Sequence, residues 1–416
     1  MPRVPAALTA ASLRGYASRL HRAIGPGHHV ASPLGAWLLL ALIARAERIV
    51  PGSAGADALA DALGCPLPAA VAATEGLMDH PHPAVRAAAA AWAAPELVAD
   101  PRMGRFLADL PCETGPMPTQ AEADAWARER TDGLVERYPI DLEHPPAIFT
   151  MATALVTRVN WLEPFDVVAA EALGPGPFAG RLTHAMRASA GFGHRVQVAQ
   201  SPVGPVAIHR AVADGLVVLS VAAHPDVPAA DVLDAAYAVA SMPAEPVSLW
   251  DLPLGQGPAW TIEEGRGPVV GGRGERVSEV VLPAWSAGSG HDLMRLGPGT
   301  GFQAAAQLLT PLLPTSVRIL AAQSAVARFH REGFEAAAVT AVAAGRIGAP
   351  PRELGPVRTA RLQFGHPYAV LALATEPMPE RGQGRPGGSV EPGGGPWTDV
   401  PVFSAWVAEV EEPEAG

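Results

Sequence analysis

Between Arg331 and Ala341 the chain runs Arg331-Glu332-Gly333-Phe334-Glu335-Ala336-Ala337-Ala338-Val339-Thr340-Ala341, a charged start, one glycine and then mostly small side chains. Small residues with a β-compatible tail can slide between strands where larger ones would jam, and Gly333 gives the backbone freedom at the pivot. The run reads as a hinge. By propensity alone an Ala-rich segment behind a glycine is more often the start of a helix, so other segments must decide.

Those segments are spread along the whole chain. Ser32-Pro33-Leu34-Gly35 opens the apolar run 36–44, with proline at a helix start where its missing N–H does no harm. The run 125–135 carries Trp126, Thr131 and Gly133, and Leu155 to Asp166 ends in Trp161-Leu162-Glu163-Pro164-Phe165-Asp166. Leu282-Pro283-Ala284-Trp285 is followed by His291-Asp292-Leu293 and Gly301-Phe302. Near the end come Phe364-Gly365-His366-Pro367-Tyr368 and Val402-Phe403-Ser404-Ala405-Trp406-Val407. In this order and spacing the segments, with the hinge, resemble the serpins.

The resemblance implies an α+β fold: a large central mixed β-sheet, further sheets and eight or nine helices in one domain over residues 1–416. It also implies a reactive loop at about 333–361, hinged by Glu332, Gly333, Phe334, Glu335, Ala336, Ala337, Ala338, Val339, Thr340 and Ala341. Ser32, Thr153, Trp161 and Gln323 fall on structural positions. Thr153 stands where the family has Asn, so a polar lock under the sheet is not expected. The implied activity is serine protease inhibition by a suicide substrate: the loop is cut and the freed hinge enters the sheet as a new strand. The implied reactive bond lies at Arg346, Ile347 and Gly348, with Arg352 and Arg358 as alternatives. An arginine before the cut points to a trypsin-like target, whose specificity pocket is acidic. Prolines 350, 351 and 356 lengthen the stretch beyond the family pattern.

Phe334 is the sharpest departure, since the family has a small Thr or Ser there. Strand side chains alternate, so with Glu335 facing water an inserted hinge would aim Phe334, Ala336, Ala338 and Thr340 at the core. Forcing an aromatic ring into a close-packed gap costs ~1–3 kcal/mol. The alternative function is therefore a non-inhibitory chaperone or ligand carrier on the same fold.

Composition narrows the classes further. A chain of 416 residues with 49% hydrophobic content can fill a sizeable core. No run approaches the ~18 unbroken apolar residues of a membrane span. The net charge of -11 argues against nucleic acid or an anionic membrane as partner. The 30 basic residues are all arginine, which reads as codon bias. A monomer is expected, partnered by a target serine protease and needing no cofactor. Residues 1–21 carry Arg3, Arg14 and Arg19 among short apolar pieces, an amphipathic helix more than a signal peptide. A cytoplasmic location is expected, extracellular being the alternative common in the family.

Chemistry-bearing motifs are few. There is no Gly-x-Ser-x-Gly elbow, no His-Glu-x-x-His pair and no phosphate loop with its lysine. His28-His29 and His80-x-His82 have no acidic or Cys partner at ligand spacing, and no metal is expected. Cys65 and Cys112 are read as free thiols. Residues 376–401, rich in Gly and Pro, read as a disordered insertion between two closing strands. The pattern predicts helices to about residue 140 and mainly strands after it.

Overall fold

The computed structural model describes residues 6–144, 146–241, 244–269, 272–314, 319–334, 353–377 and 395–413. Its helices are α1 (Ala6–Ile24), α2 (Pro33–Ile43), α3 (Ala46–Ile49), α4 (Ala56–Leu63), α5 (Leu67–Asp79), α6 (Pro95–Val98), α7 (Pro101–Asp109), α8 (Gln120–Arg130), α9 (Ala229–Ser241) and α10 (Phe302–Leu309). The fold is α+β, as expected.

One sheet is complete. Its six strands lie in the order β1 (His29–Ala31), β19 (Val400–Val407), β18 (Tyr368–Ala374), β10 (Leu216–Ala222), β9 (Gly204–Ala213) and β8 (His194–Ser201). Every residue of β18 and β19 is buried, because α9 covers one face through Val232, Leu233 and Ala236 while the main core covers the other. That accounts for their unbroken apolar runs: a strand covered on both faces has no polar side to alternate.

A second six-stranded sheet is mixed. It orders β11 (Gly255–Gln256), β12 (Trp260–Val269), β17 (Glu353–Gln363), β13 (Gly274–Leu282), β7 (His184–Ser189) and β6 (Asp166–Ala169), with β13 and β17 parallel.

Two smaller sheets line one common cavity and make two halves about it. One half is β3 (Glu113–Pro116), β2 (Arg86–Ala93) and β4 (Phe149–Val156), and the other is β14 (Trp285–Asp292) with β15 (Ala322–Phe329). Among the described residues nothing pairs β4 with β15. A short ribbon of β16 (Gly333–Phe334) on β5 (Val159–Asn160) lies beyond the end of β15.

Two expectations need correcting. Strands begin well before residue 140: β2 is Arg86-Ala87-Ala88-Ala89-Ala90-Ala91-Trp92-Ala93, a helix by propensity that pairing with β4 over its whole length holds as a strand. The stretch 376–401, expected to be a disordered insertion, also takes in residues with a defined place in the fold. Trp397 is buried and donates its indole N–H to the His80 carbonyl at 2.6 Å, and β19 begins at Val400. Residues 378–394 lie outside the described residues. No single helix is long and apolar enough to cross a membrane.

Candidate strand-insertion site

The space between β4 and β15 is a cleft of about 410 Å³. Both walls are eight residues long. Its floor is α2, contributing Ala36, Leu39 and Ile43, and the connection from α8 to β4 lies over it with Leu134 and Tyr138. The Tyr138 hydroxyl meets that of Thr150 on β4 at 2.7 Å, which ties the connection to one wall only. Among the described residues no strand pairs with either wall on the cleft side, which leaves there the template a new strand needs.

The two halves are joined from below, at the start of α2. Ser32 caps that helix by accepting from the Gly35 N–H at 3.1 Å and donates to the Val402 carbonyl at 2.9 Å. From β15, the Gln323 side chain accepts from the Ser32 N–H at 3.0 Å and donates to the Ser32 carbonyl at 2.9 Å. From β4, the Thr153 hydroxyl donates to the Gly35 carbonyl at 2.9 Å. This corrects the expectation at Thr153: the shorter side chain still makes a polar tie under the sheet. At Gly35 a Cβ would stand 3.0 Å from Leu155 Cδ1 and 3.2 Å from Ser32 Oγ, so glycine lets α2 lie this close to β4 without displacing either side chain.

The hinge leaves the top of β15 away from the cleft. The Trp161 indole N–H donates to the His330 carbonyl at 3.0 Å, and the Trp161 backbone N–H to the Glu332 carbonyl at 3.1 Å. Phe165 N–H reaches the Arg331 carbonyl at 3.1 Å, and the Arg331 guanidinium returns a bond to the Phe165 carbonyl at 3.0 Å. Phe329 packs between Trp161, Phe165 and Trp285, with centroids 5.0, 5.7 and 6.1 Å away. Gly333 then lies against β5, where a Cβ would collide with the Val159 carbonyl oxygen. Close approach is therefore a second reason for this glycine. Phe334 is 4% exposed and belongs to the main core in this outward position.

The other expected site residues divide in two. Glu335, Ala336, Ala337, Ala338, Val339, Thr340, Ala341, Arg346, Ile347, Gly348 and Arg352 lie outside the described residues. Arg358, by contrast, sits within β17, bonded to Glu264 at 3.1 Å and to the Leu249 and Leu252 carbonyls, with its guanidinium 4.5 Å from the Trp250 ring centroid. The part of the expected loop from residue 353 onward is thus strand, not loop.

Histidines and cysteines take structural roles. His28 donates to the Ser286 carbonyl, His80 bonds the Gly76 carbonyl and His82 the Thr375 carbonyl. His29 lies in a line that sequence reading missed, because Ser404 is 383 residues from His21: Ser404 Oγ, His21 Nε2 at 2.5 Å, then His21 Nδ1 to His29 Nε2 at 2.7 Å. All three residues are at most 4% exposed, so no substrate reaches them and the line is a core network. Cys65 and Cys112 are free, and burial pushes the Cys112 thiol up to about 11.

No protein-family model and no curated protein matches the sequence. Solved structures do match in three dimensions. A serpin from the trematode Schistosoma haematobium aligns over 97% of this chain and 100% of its own at 12% identity and a TM-score of 0.56. The thermophilic serpin tengpin in its native state aligns over 96% and 94% at 10% identity and 0.59. Thyroxine-binding globulin in complex with thyroxine aligns over 97% and 99% at 15% identity and 0.56. With the divided sheet, the outward hinge and these alignments end to end, the chain has the serpin fold.

Proposed function

We propose that this protein is a serine protease inhibitor that acts as a suicide substrate. The observation that carries the reading is the cleft between β4 and β15, two walls that do not pair among the described residues, beside a hinge that leaves β15 to pair with β5 instead. Eight residues of extended chain, about 26 Å, fill walls of that length, and residues 335–342 are the next eight after Phe334.

The chemistry is that of acyl transfer interrupted. The protease serine attacks the carbonyl carbon before the cut, the peptide C–N bond breaks, and the new amine leaves with a proton while an ester holds the two proteins together. Arg346, beside the bond from Ile347 to Gly348, is the proposed recognition residue, with Arg352 as the alternative. Once cut, the upstream piece is free to pair with both cleft walls, carrying the attached protease away before water cleaves the ester. Incubation with a trypsin-like protease followed by a denaturing gel tests this: a band at the mass of the protease plus the fragment upstream of the cut is expected, and cleavage without such a band contradicts it.

Phe334 favours a second reading. A buried hinge anchor resists the first step of insertion, and a serpin fold whose loop stays outside would serve as a carrier. The same gel separates the two, since a carrier is cut but not trapped.

A further inference from the structure

Directly behind the turn that holds the hinge lie two buried histidines that the fold does not need for capping or pairing. His194 on β8 and His209 on β9 stack with centroids 5.3 Å apart, and the Phe165 ring stands 4.4 Å from the first and 5.8 Å from the second. Phe165 is the residue that exchanges two hydrogen bonds with Arg331. The pair therefore supports the hinge through one aromatic side chain.

The proton inventory of the pair follows from its partners. His194 Nε2 faces the Glu163 carbonyl at 2.6 Å and so must carry a hydrogen, leaving Nδ1 as an acceptor. That acceptor is 3.0 Å from His209 Nε2, which must then be the donor. His209 Nδ1 is left as a bare lone pair, fully buried and with no partner. One more proton has three places to go: on His209 Nδ1, on His194 Nδ1 head to head with the His209 N–H, or on His194 Nδ1 with His209 switched to its Nδ1–H tautomer so that the bond between the rings reverses. Each buries a positive charge and leaves either the His209 Nδ1–H without an acceptor or two N–H groups facing, so an opened, hydrated pair takes the proton more readily than the closed stack.

The surrounding charges relieve this only at His194. Glu163 is next in line on the turn itself, and its carboxyl favours the charged form of His194. Arg210 adjoins His209, is anchored on the Val239 carbonyl of α9, and opposes a second positive charge. Arg195 lies over the Phe192 ring, and Glu279 on β13 is paired with Arg361. Across Phe165, Arg331 is paired with Glu332, and Ser220, opposite His209 on β10, carries no charge.

We propose that the His194–His209 pair is a proton-sensitive catch on the hinge: taking up one proton, it loosens the Glu163–Phe165 turn and releases residues 331–334 toward the cleft. This rests on the reading that the hinge enters the cleft. Burial lowers the proton affinity of both rings, so the folded state holds them neutral while the unfolded chain protonates near 6.5. The catch is therefore fully engaged above about pH 6.5 and is lost as pH falls below it, by up to about tenfold per pH unit for one proton.

Amide hydrogen exchange on the intact protein tests the catch without any protease. The reporters are the Trp161 and Phe165 amides, which bond the hinge carbonyls, against the Val218 and Leu371 amides of the complete sheet as reference. After correction for intrinsic rates, protection at the reporters is expected to fall on the order of tenfold more than at the references between pH 7.5 and 5.5. His209→Gln and, separately, His194→Gln keep a side-chain donor without a titrating ring, and in either the extra loss is expected to vanish. Equal loss at reporters and references in the parent overturns the proposal, as does an undiminished loss in both variants. If the gel shows no covalent complex at any pH, the inhibitory reading fails while the exchange result still decides the catch.

Discussion

The complete six-stranded sheet and the divided one are built of strands of similar length, yet the fold treats their edges in opposite ways. In the first, β10, β18 and β19 are paired on both sides and buried on both faces. In the second, β4 and β15 each have one partner and face a cleft. On the proposed function, stability belongs to the first region and the capacity to change to the second. Hydrogen bonds and burial left unmade between β4 and β15 are what an inserted strand would gain.

Side-chain truncations sharpen that contrast. Leu371→Ala, in β18 with no exposed surface, is expected to cost about 3 kcal/mol of unfolding free energy, whereas Val326→Ala on the cleft wall costs under about 1 kcal/mol, both read by denaturant titration. Equal losses would mean that the cleft is as tightly packed as the sheet. Phe334→Thr removes a ring already buried in the outward state, so the intact form is expected to lose about 2–3 kcal/mol while the yield of covalent complex rises. A stability loss with no gain in complex would show that the ring anchors the hinge without limiting insertion.

Smaller effects are expected under the sheet. Gln323→Ala removes both bonds to Ser32 and Thr153→Val the one to Gly35, costing about 1–2 and about 1 kcal/mol respectively. Both should speed insertion, because they loosen the ties that hold the halves to α2. Smallest of all, deletion of residues 378–394 is expected to change stability by less than about 1 kcal/mol, while Trp397→Ala, just beyond, costs about 3 kcal/mol in the same thermal melts.

Much of the architecture was legible because its signals are local. Ser32-Pro33 at the start of α2, the Pro164-Phe165 step and Pro283 between β13 and β14 each act on their own backbone, so the order of elements could be read from the chain. What could not be read depends on partners distant in sequence. The alanines of β2 become a strand only because β4 lies beside them. Thr153 has the reach for Gly35 only because α2 comes close, and Arg358 is an ion-paired strand residue because Glu264 and Trp250 close over it. Phe334 illustrates the same limit: its size was evident, but its burial outside the cleft was not.

The most direct test of the account is the melting temperature of the protein before and after a single cut between residues 335 and 352. If the cleft between β4 and β15 is a vacant strand position, the freed segment fills it and the melting temperature rises well above that of the intact form, after a lag set by Phe334. A cleaved protein whose melting temperature stays at the intact value after long incubation would contradict the account.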